Sequence, residues 1–311
     1  MQPAATSGTP WTSLAAPSHE LARSTGHPCP PTALILRKRG DARAGKSIGL
    51  PFQPPGFILV PLSDGSSLSP LLTAATDHLL LPMLPFVYLN VATTADGKLA
   101  PANRRFVAFG SRRDKQLLLE LRARADAVMA GARTVDLVPV NLGPGPVKYR
   151  RLRVKNGFAE YNLRVVVSGS GTLNPQAEIF RRNFSPVIVL ASGHASEKNL
   201  RRLREVADEV RVFGDEEIDF VAALNWLRHR WKVRRLLCEG GGEINAALFR
   251  AGLVDEVYQT ICPFIFGGRN APTLADGQGV QHLTQATQLR LISRKRIGQE
   301  LYLVYRTKKI A

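Results

Sequence analysis

The sequence predicts an α/β fold of three layers, with helices on both faces of a mostly parallel, mixed sheet that ends in an antiparallel C-terminal edge. Three observations carry this. Short, continuously apolar and β-branched runs, such as Val165-Val166-Val167 and Val187-Ile188-Val189-Leu190, suit strands covered on both faces. Segments of helical apolar spacing alternate with them. Beyond residue 256 three strand-like runs follow with little helix between them, as an antiparallel edge requires.

In chain order, the first division falls at residue 83. Residues 1–83 are rich in Pro, Ser, Ala and Gly, and Glu20 is the only acid before Asp41. Periodicity is absent, and Pro30-Pro31, Pro51, Pro54-Pro55 and Pro61 block regular structure. Three readings fit: a largely disordered tail, an organellar transit peptide, or a start codon placed too far upstream. Residues 84–311 read as the folded domain. There, residues 86–92 form a buried strand, residues 112–124 a helix by their leucine spacing, and residues 126–131 a second strand. Residues 143–155, a Pro/Gly-rich loop with the basic cluster Lys148 to Lys155, read as a solvated hairpin or as a phosphate recruiter. Strands at 165–167 and 187–190 follow. Helices at 197–206 and 220–231 enclose an extended run at 210–213. An apolar strand around Leu236 leads into a helix at 242–250, and strands at 256–261, 288–293 and 300–305 complete the domain.

The strongest chemical signal is Leu236-Leu237-Cys238-Glu239-Gly240-Gly241-Gly242-Glu243-Ile244. A strand that runs into glycines at a helix start presents bare backbone N–H groups, and the helix dipole there favours phosphate. Glu239, at the strand's end, then faces whatever lies beside that phosphate. The ordinary Gly-x-Gly-x-x-Gly dinucleotide fingerprint is absent. The plainer alternatives are a tight turn for the glycines and helix capping for Glu239. Asp96-Gly97 reads as a hairpin turn or as part of the same site, and Gly131-Ala132-Arg133-Thr134 as a helix cap or a ligand loop.

Composition narrows the classes. The 44% hydrophobic share suits a globular core, and no apolar run approaches the ~20 residues of a membrane span. Three scattered cysteines argue against a disulfide framework and fit a reducing compartment. Without Cys-x-x-Cys or His-x-x-x-His spacing, no structural metal is expected. The net charge of +17 would attract polyanions or phosphorylated small molecules. A nucleic-acid-binding reading ranks low, because aromatics are not interleaved with the basic cluster.

The chain resembles the riboflavin-pathway pyrimidine reductases, the reductase half of the bacterial deaminase–reductase and its stand-alone archaeal and fungal relatives, which have a dihydrofolate-reductase-like fold. The resemblance runs from about residue 87 to residue 305. It rests on Thr94-Ala95-Asp96-Gly97-Lys98, Leu121-Arg122-Ala123-Arg124-Ala125-Asp126-Ala127, Gly131-Ala132-Arg133-Thr134-Val135, Glu239-Gly240-Gly241-Gly242, Gly252-Leu253-Val254-Asp255-Glu256 and Phe266-Gly267-Gly268-Arg269-Asn270-Ala271-Pro272. It implies an NADPH-dependent oxidoreductase of the 5-amino-6-(5-phosphoribosylamino)uracil reductase type, turning ribosyl into ribityl on a phosphorylated pyrimidine, and commonly a homodimer. A pterin such as dihydrofolate, or an unassigned substrate, is the alternative. The resemblance also implies site residues. Gly240, Gly241, Gly242, Glu243, Ile244 and Thr134 are expected to hold the cofactor, with Ser168 (or Ser170, Ser192, His194) at its 2′-phosphate. Asn90, Ser111 and Glu239 are expected to contact substrate. Reduction of such a sugar needs a proton on nitrogen as hydride reaches carbon. Asp96 and Lys98 are the candidates for that proton and Glu239 for positioning. The chain departs from the family in carrying Val138 where an acid usually follows Thr-Val, and Ser168-Gly169-Ser170-Gly171 in place of an Asp after the middle strand. The deaminase partner's zinc motif is missing, so deamination is not expected of this chain.

Overall fold

The computed structural model describes residues 84–105 and 107–308; the expectation for residues 1–83 lies outside them. Nine strands form one sheet: β1 (Phe86–Thr94), β2 (Ala127–Gly131), β3 (Leu163–Val167), β4 (Val187–Ala191), β5 (Glu209–Val212), β6 (Arg235–Cys238), β7 (Glu256–Cys262), β8 (Leu289–Ile297) and β9 (Glu300–Thr307). Seven helices connect them: α1 (Arg112–Arg122), α2 (Ala132–Leu137), α3 (Val147–Lys155), α4 (Glu178–Arg181), α5 (Glu197–Arg204), α6 (Phe220–Arg230) and α7 (Gly242–Arg250). The strand order is β5-β4-β3-β2-β6-β1-β7-β9-β8. All pairs are parallel except β7 with β9 and β8 with β9. The predicted mixed sheet with an antiparallel C-terminal edge is therefore present.

The apolar runs explain the order. β2, β3 and β4 are buried at every position, as strands between two helical layers must be. On one face Val87, Leu89, Met129 and Leu236 pack against Leu224 and Leu227 of α6 and Leu248 of α7. On the other, Tyr88, Val128, Val166 and Leu237 meet Leu121 of α1, Val135 of α2 and Leu203 of α5. Strand β8, by contrast, is exposed along nearly its whole length.

Connectivity determines where a ligand can sit. From β1 the chain travels outward through β2, β3, β4 and β5, then returns to insert β6 between β2 and β1. Open α/β sheets hold ligands beyond the C-terminal strand ends where the strand order reverses. Here that place is the end of β6, which is also the start of the glycine run.

One expectation is corrected. Residues 147–155 are the helix α3 and no hairpin, and two of its five basic side chains, Arg150 and Arg153, are engaged by the protein itself. Arg153 is 1% exposed and donates to the carbonyls of Arg122, Ala125 and Ala159. Arg150 pairs with Glu160 at 2.7 Å and bonds the Tyr161 hydroxyl. Burying a guanidinium requires that its donors be satisfied, and three carbonyls do this for Arg153. Arg150 and Arg153 are thus spent on the protein's own groups, while Lys148, Arg151 and Lys155 stay exposed.

Candidate active site

The glycine loop is built as the sequence suggests. Gly240 and Gly241 both have φ of +83°, a region L side chains rarely occupy, so both positions require glycine. Gly242 is glycine for a different reason: a Cβ there would lie 2.4 Å from Asp276 Oδ2 and 2.6 Å from the Thr273 carbonyl. Above Gly241, by contrast, a Cβ would meet nothing within 4 Å. The first bonded amide of α7 is that of Asn245, donating to Gly241 O at 3.0 Å. The amides of Gly242, Glu243 and Ile244 are therefore the orphan donors of a helix start, and no side chain among the described residues caps them. Free amides beside open space fit a pyrophosphate. Neighbours secure the loop. The Gly131 amide donates to Gly240 O at 3.1 Å, and buried Asn245 donates to Leu274 O at 2.8 Å.

Glu239 is not the helix cap. Its carboxylate is gripped in bidentate fashion by Arg122, with Nε at 2.5 Å and Nη2 at 2.6 Å, and the two side chains are only 10% and 11% exposed. Arg122 also donates to Gly143 O at 2.7 Å. Arg122 is the residue that sequence reasoning missed as a site residue. Its signal lay in a motif already noted, but only the fold brings the end of α1 against the end of β6. The Cys238 thiol beneath them is pushed up to about 12 by burial, so it is unreactive near neutrality.

The loop after β1 is zipped to the loop after β7. Asp96 accepts from Thr94 Oγ1 at 2.6 Å, from the Gly267 amide at 2.7 Å and from the Phe266 amide at 3.2 Å. The Thr94 hydroxyl and those amides hold its carboxyl below the ordinary value. So placed, Asp96 is an ionised, exposed tether, a poor source of protons at neutral pH. Lys98 is half-buried, paired through its backbone with Thr273, and its ammonium has no ion pair among the described residues. Of the two, Asp96 is the one whose carboxylate is already engaged.

Ser111 lies at the head of α1, where its Oγ accepts from the Arg113 and Asp114 amides. The same hydroxyl donates to Glu300 at 2.6 Å, and its amide donates to the other Glu300 oxygen at 2.7 Å. Tyr302 also bonds Glu300. Burial alone would raise the Glu300 carboxyl, but these hydrogen bonds outweigh it and keep it below the usual range. Ser111 is thus occupied as a cap. Asn90 lies on β1, with its Oδ1 enclosed and unpartnered. Thr134 lies in α2, directly after β2, and neighbouring Arg133 reaches Glu243 at 3.6 Å. Ser168 follows β3 and is buried. Ser192 is spent internally, on the carbonyls of Gly169 and Glu216. The hollow of about 320 Å³ lined by Arg228, His229, Lys232 and Arg234 opens at the N-terminal end of β6, away from all of these.

Comparison with known proteins identifies the fold and the family. Residues 85–303 match the family described as the RibD C-terminal domain. The chain is 36% identical to the 2,5-diamino-6-ribosylamino-4(3H)-pyrimidinone 5′-phosphate reductase of Archaeoglobus fulgidus over 196 residues, 63% of this chain and 88% of that protein. It is 34% identical to the protein of the same name from Methanothermobacter thermautotrophicus over 226 residues, 73% of this chain and all of that one. A fold likeness extends to a pyrimidine reductase-like protein from Corynebacterium diphtheriae (22% identity, TM-score 0.62, 73% of this chain and 93% of that one). It extends also to a diaminohydroxyphosphoribosylaminopyrimidine deaminase/5-amino-6-(5-phosphoribosylamino)uracil reductase from Thermotoga maritima (21% identity, TM-score 0.55, 72% and 57%). On the family match and these archaeal relatives, the chain belongs to the RibD C-terminal reductase domain family.

Proposed function

We infer that this chain is an NADPH-dependent reductase that converts the ribosylamino group of a phosphorylated pyrimidine into ribitylamino, on the route to riboflavin. The observation that carries this is the trio of free amides at Gly242, Glu243 and Ile244, set beside the buried Arg122–Glu239 pair at the reversal of strand order. A cofactor pyrophosphate fits the amides, with Thr134 alongside and Ser168 toward its 2′-phosphate. Bound there, NADPH supplies the hydride for C1′ of the ring-opened ribosylamino group.

The protein's own part is binding, orientation and a proton. Glu239, fixed by Arg122, orients the substrate together with Asn90. Lys98 delivers the proton to the nitrogen, since Asp96 is held ionised. Asp96 instead keeps the two loops over the site closed on one another.

Residues 84–311 form the reductase domain, a reading supported by the family match beginning at residue 85. A homodimer is supported by the open edge at β8, where Leu289, Leu291 and Ile292 are exposed beside Leu301 of β9. The compartment is the cytoplasm, or an organelle if residues 1–83 act as a transit peptide; a maize relative at 29% identity is named as chloroplastic. No helix among the described residues is long and apolar enough to cross a membrane.

The test is calorimetric titration with NADPH and NADH, followed by turnover of the ribosylaminopyrimidine phosphate. Binding of NADPH in preference to NADH, with NADPH oxidation on adding substrate, is the expected result. No affinity for either nucleotide would end the proposal.

A further inference from the structure

Two pyrimidine rings are in contention as substrate. One carries a 2-amino group, as in the name of the archaeal relatives; the other carries a 2-oxo group, as in the uracil named for the Thermotoga maritima protein. Three enclosed oxygens, those of Asp114 and Thr260 with that of Asn90, bear on that choice.

Residues two apart on a strand share a face. Tyr88 of β1 donates from its hydroxyl to Leu121 O of α1 at 3.0 Å, and its ring meets Tyr258 of β7 edge to face at 6.0 Å. Asn90 and Thr260, two positions further along the same strands, therefore face the same α1-covered side. In register, Asn90 stands beside Tyr258 and Thr260 beside Ala92. On this side Asn90 Oδ1, Thr260 Oγ1 and Asp114 Oδ1 are enclosed; Asn90 Oδ1 has no hydrogen-bond partner among the described residues, and Asp114 and Thr260 have only one another within reach. Thr260 is fully buried. Asp114 comes from the first turn of α1 and is half-buried, at the rim above Thr260. Burial pushes its carboxyl up, a hydrogen bond from the Thr260 hydroxyl holds some of that rise back, and the Glu300 charge adds to it. Glu300 cannot complete this group, because its own oxygens already accept from Ser111, Tyr302 and Cys262.

Enclosed polar atoms without partners are rare, and each asks for a ligand or a water. The side chains themselves say which ligand. Asp114 and Asn90 present acceptors, so what is missing is an array of donors. A 2-amino-4-oxopyrimidine offers one: its ring N3–H and 2-amino group lie side by side, matched to the two oxygens of a carboxylate. In the uracil ring the 2-oxo group would oppose the carboxylate, acceptor against acceptor.

We propose that Asp114, with Thr260 and Asn90 beside it, receives the N3–H and 2-amino edge of the pyrimidine, and so selects the 2,5-diamino substrate over its deaminated uracil counterpart. This rests on the reductase reading above. The Arg122–Glu239 pair then lies across β1 from the ring edge, on the same face of the sheet, where the sugar and cofactor meet.

The experiment measures kcat/KM for both substrates in the whole chain and in Asp114→Asn and Thr260→Val, each checked for folding by circular dichroism. The wild type is expected to prefer the diamino substrate by about 100-fold or more, as sites built to hydrogen-bond a polar group do. Asp114→Asn should pull the ratio toward one, mainly by losing the diamino substrate. Thr260→Val should shrink it by about tenfold. If Asp114→Asn fails to fold, the ratio in Thr260→Val decides. Equal losses on both substrates, with the ratio kept, would make these residues structural and overturn the inference alone. A wild type that prefers uracil would do the same. A wild type inert toward both would remove the reductase reading and this inference together.

Discussion

Replacing Arg122 by Met should destabilise the domain sharply, because it strands the Glu239 carboxylate where little water reaches it. The pair is bidentate at 2.5 and 2.6 Å, with both side chains about a tenth exposed. Two unit charges about 4 Å apart interact by roughly 4 kcal/mol at an effective dielectric near 20. Removing one partner of such a buried pair costs about 3–5 kcal/mol, because the survivor keeps its desolvation penalty. In a domain of this size each kcal/mol moves Tm by about 2–4 °C, so the expected drop is roughly 6–20 °C. The double variant Arg122→Met/Glu239→Leu removes both charges and should recover most of that loss. Differential scanning calorimetry of the wild type, both single variants and the double variant closes a thermodynamic cycle. Turnover should disappear in all three variants whatever their Tm, since positioning needs the carboxylate held by Arg122. A double variant as unstable as Arg122→Met would refute the reasoning, as would an Arg122→Met variant with an unchanged Tm.

Other expectations follow from the same geometry. Gly241→Ala meets open space but must adopt φ of +83°, so it should lower Tm by only a few degrees while NADPH affinity, read by calorimetry, falls steeply. Gly242→Ala should instead displace the Thr273–Asp276 turn and lower Tm more than Gly241→Ala; similar losses would count against the distinction. Asp96 has a depressed carboxyl pKa, so its contribution is full above the ordinary aspartate value near 3.9 and is lost as pH falls through the lower folded value. Tm measured from about pH 2 to pH 5 should therefore decline less in Asp96→Asn than in wild type, and parallel curves would dismiss the tether. Arg153→Met strips three carbonyls of a donor and should cost about 2–4 kcal/mol by urea denaturation, whereas exposed Arg151→Ala should change little.

The amino-acid sequence alone determined most of the elements and the glycine loop. Strands such as 187–190 declare themselves by continuous β-branched apolarity, and a triple glycine between strand and helix limits what the backbone can do there. Both are local properties, legible from a few neighbouring residues. The antiparallel C-terminal edge was legible for the same reason, as three strand-like runs without intervening helix. Helix α3 was not. Its cluster of basic residues looks solvated in isolation, and only the carbonyls of Arg122 and Ala125, 28 residues or more away along the chain, make burial of Arg153 acceptable. The strand order likewise depended on the fold, since nothing local says that β6 inserts between β2 and β1. That insertion brings Arg122 to Glu239 across 117 residues and turns a carboxylate at a strand end into a fixed, charged site wall. Partnerships of this kind arise from chain closure in three dimensions, which a reading of neighbours cannot contain.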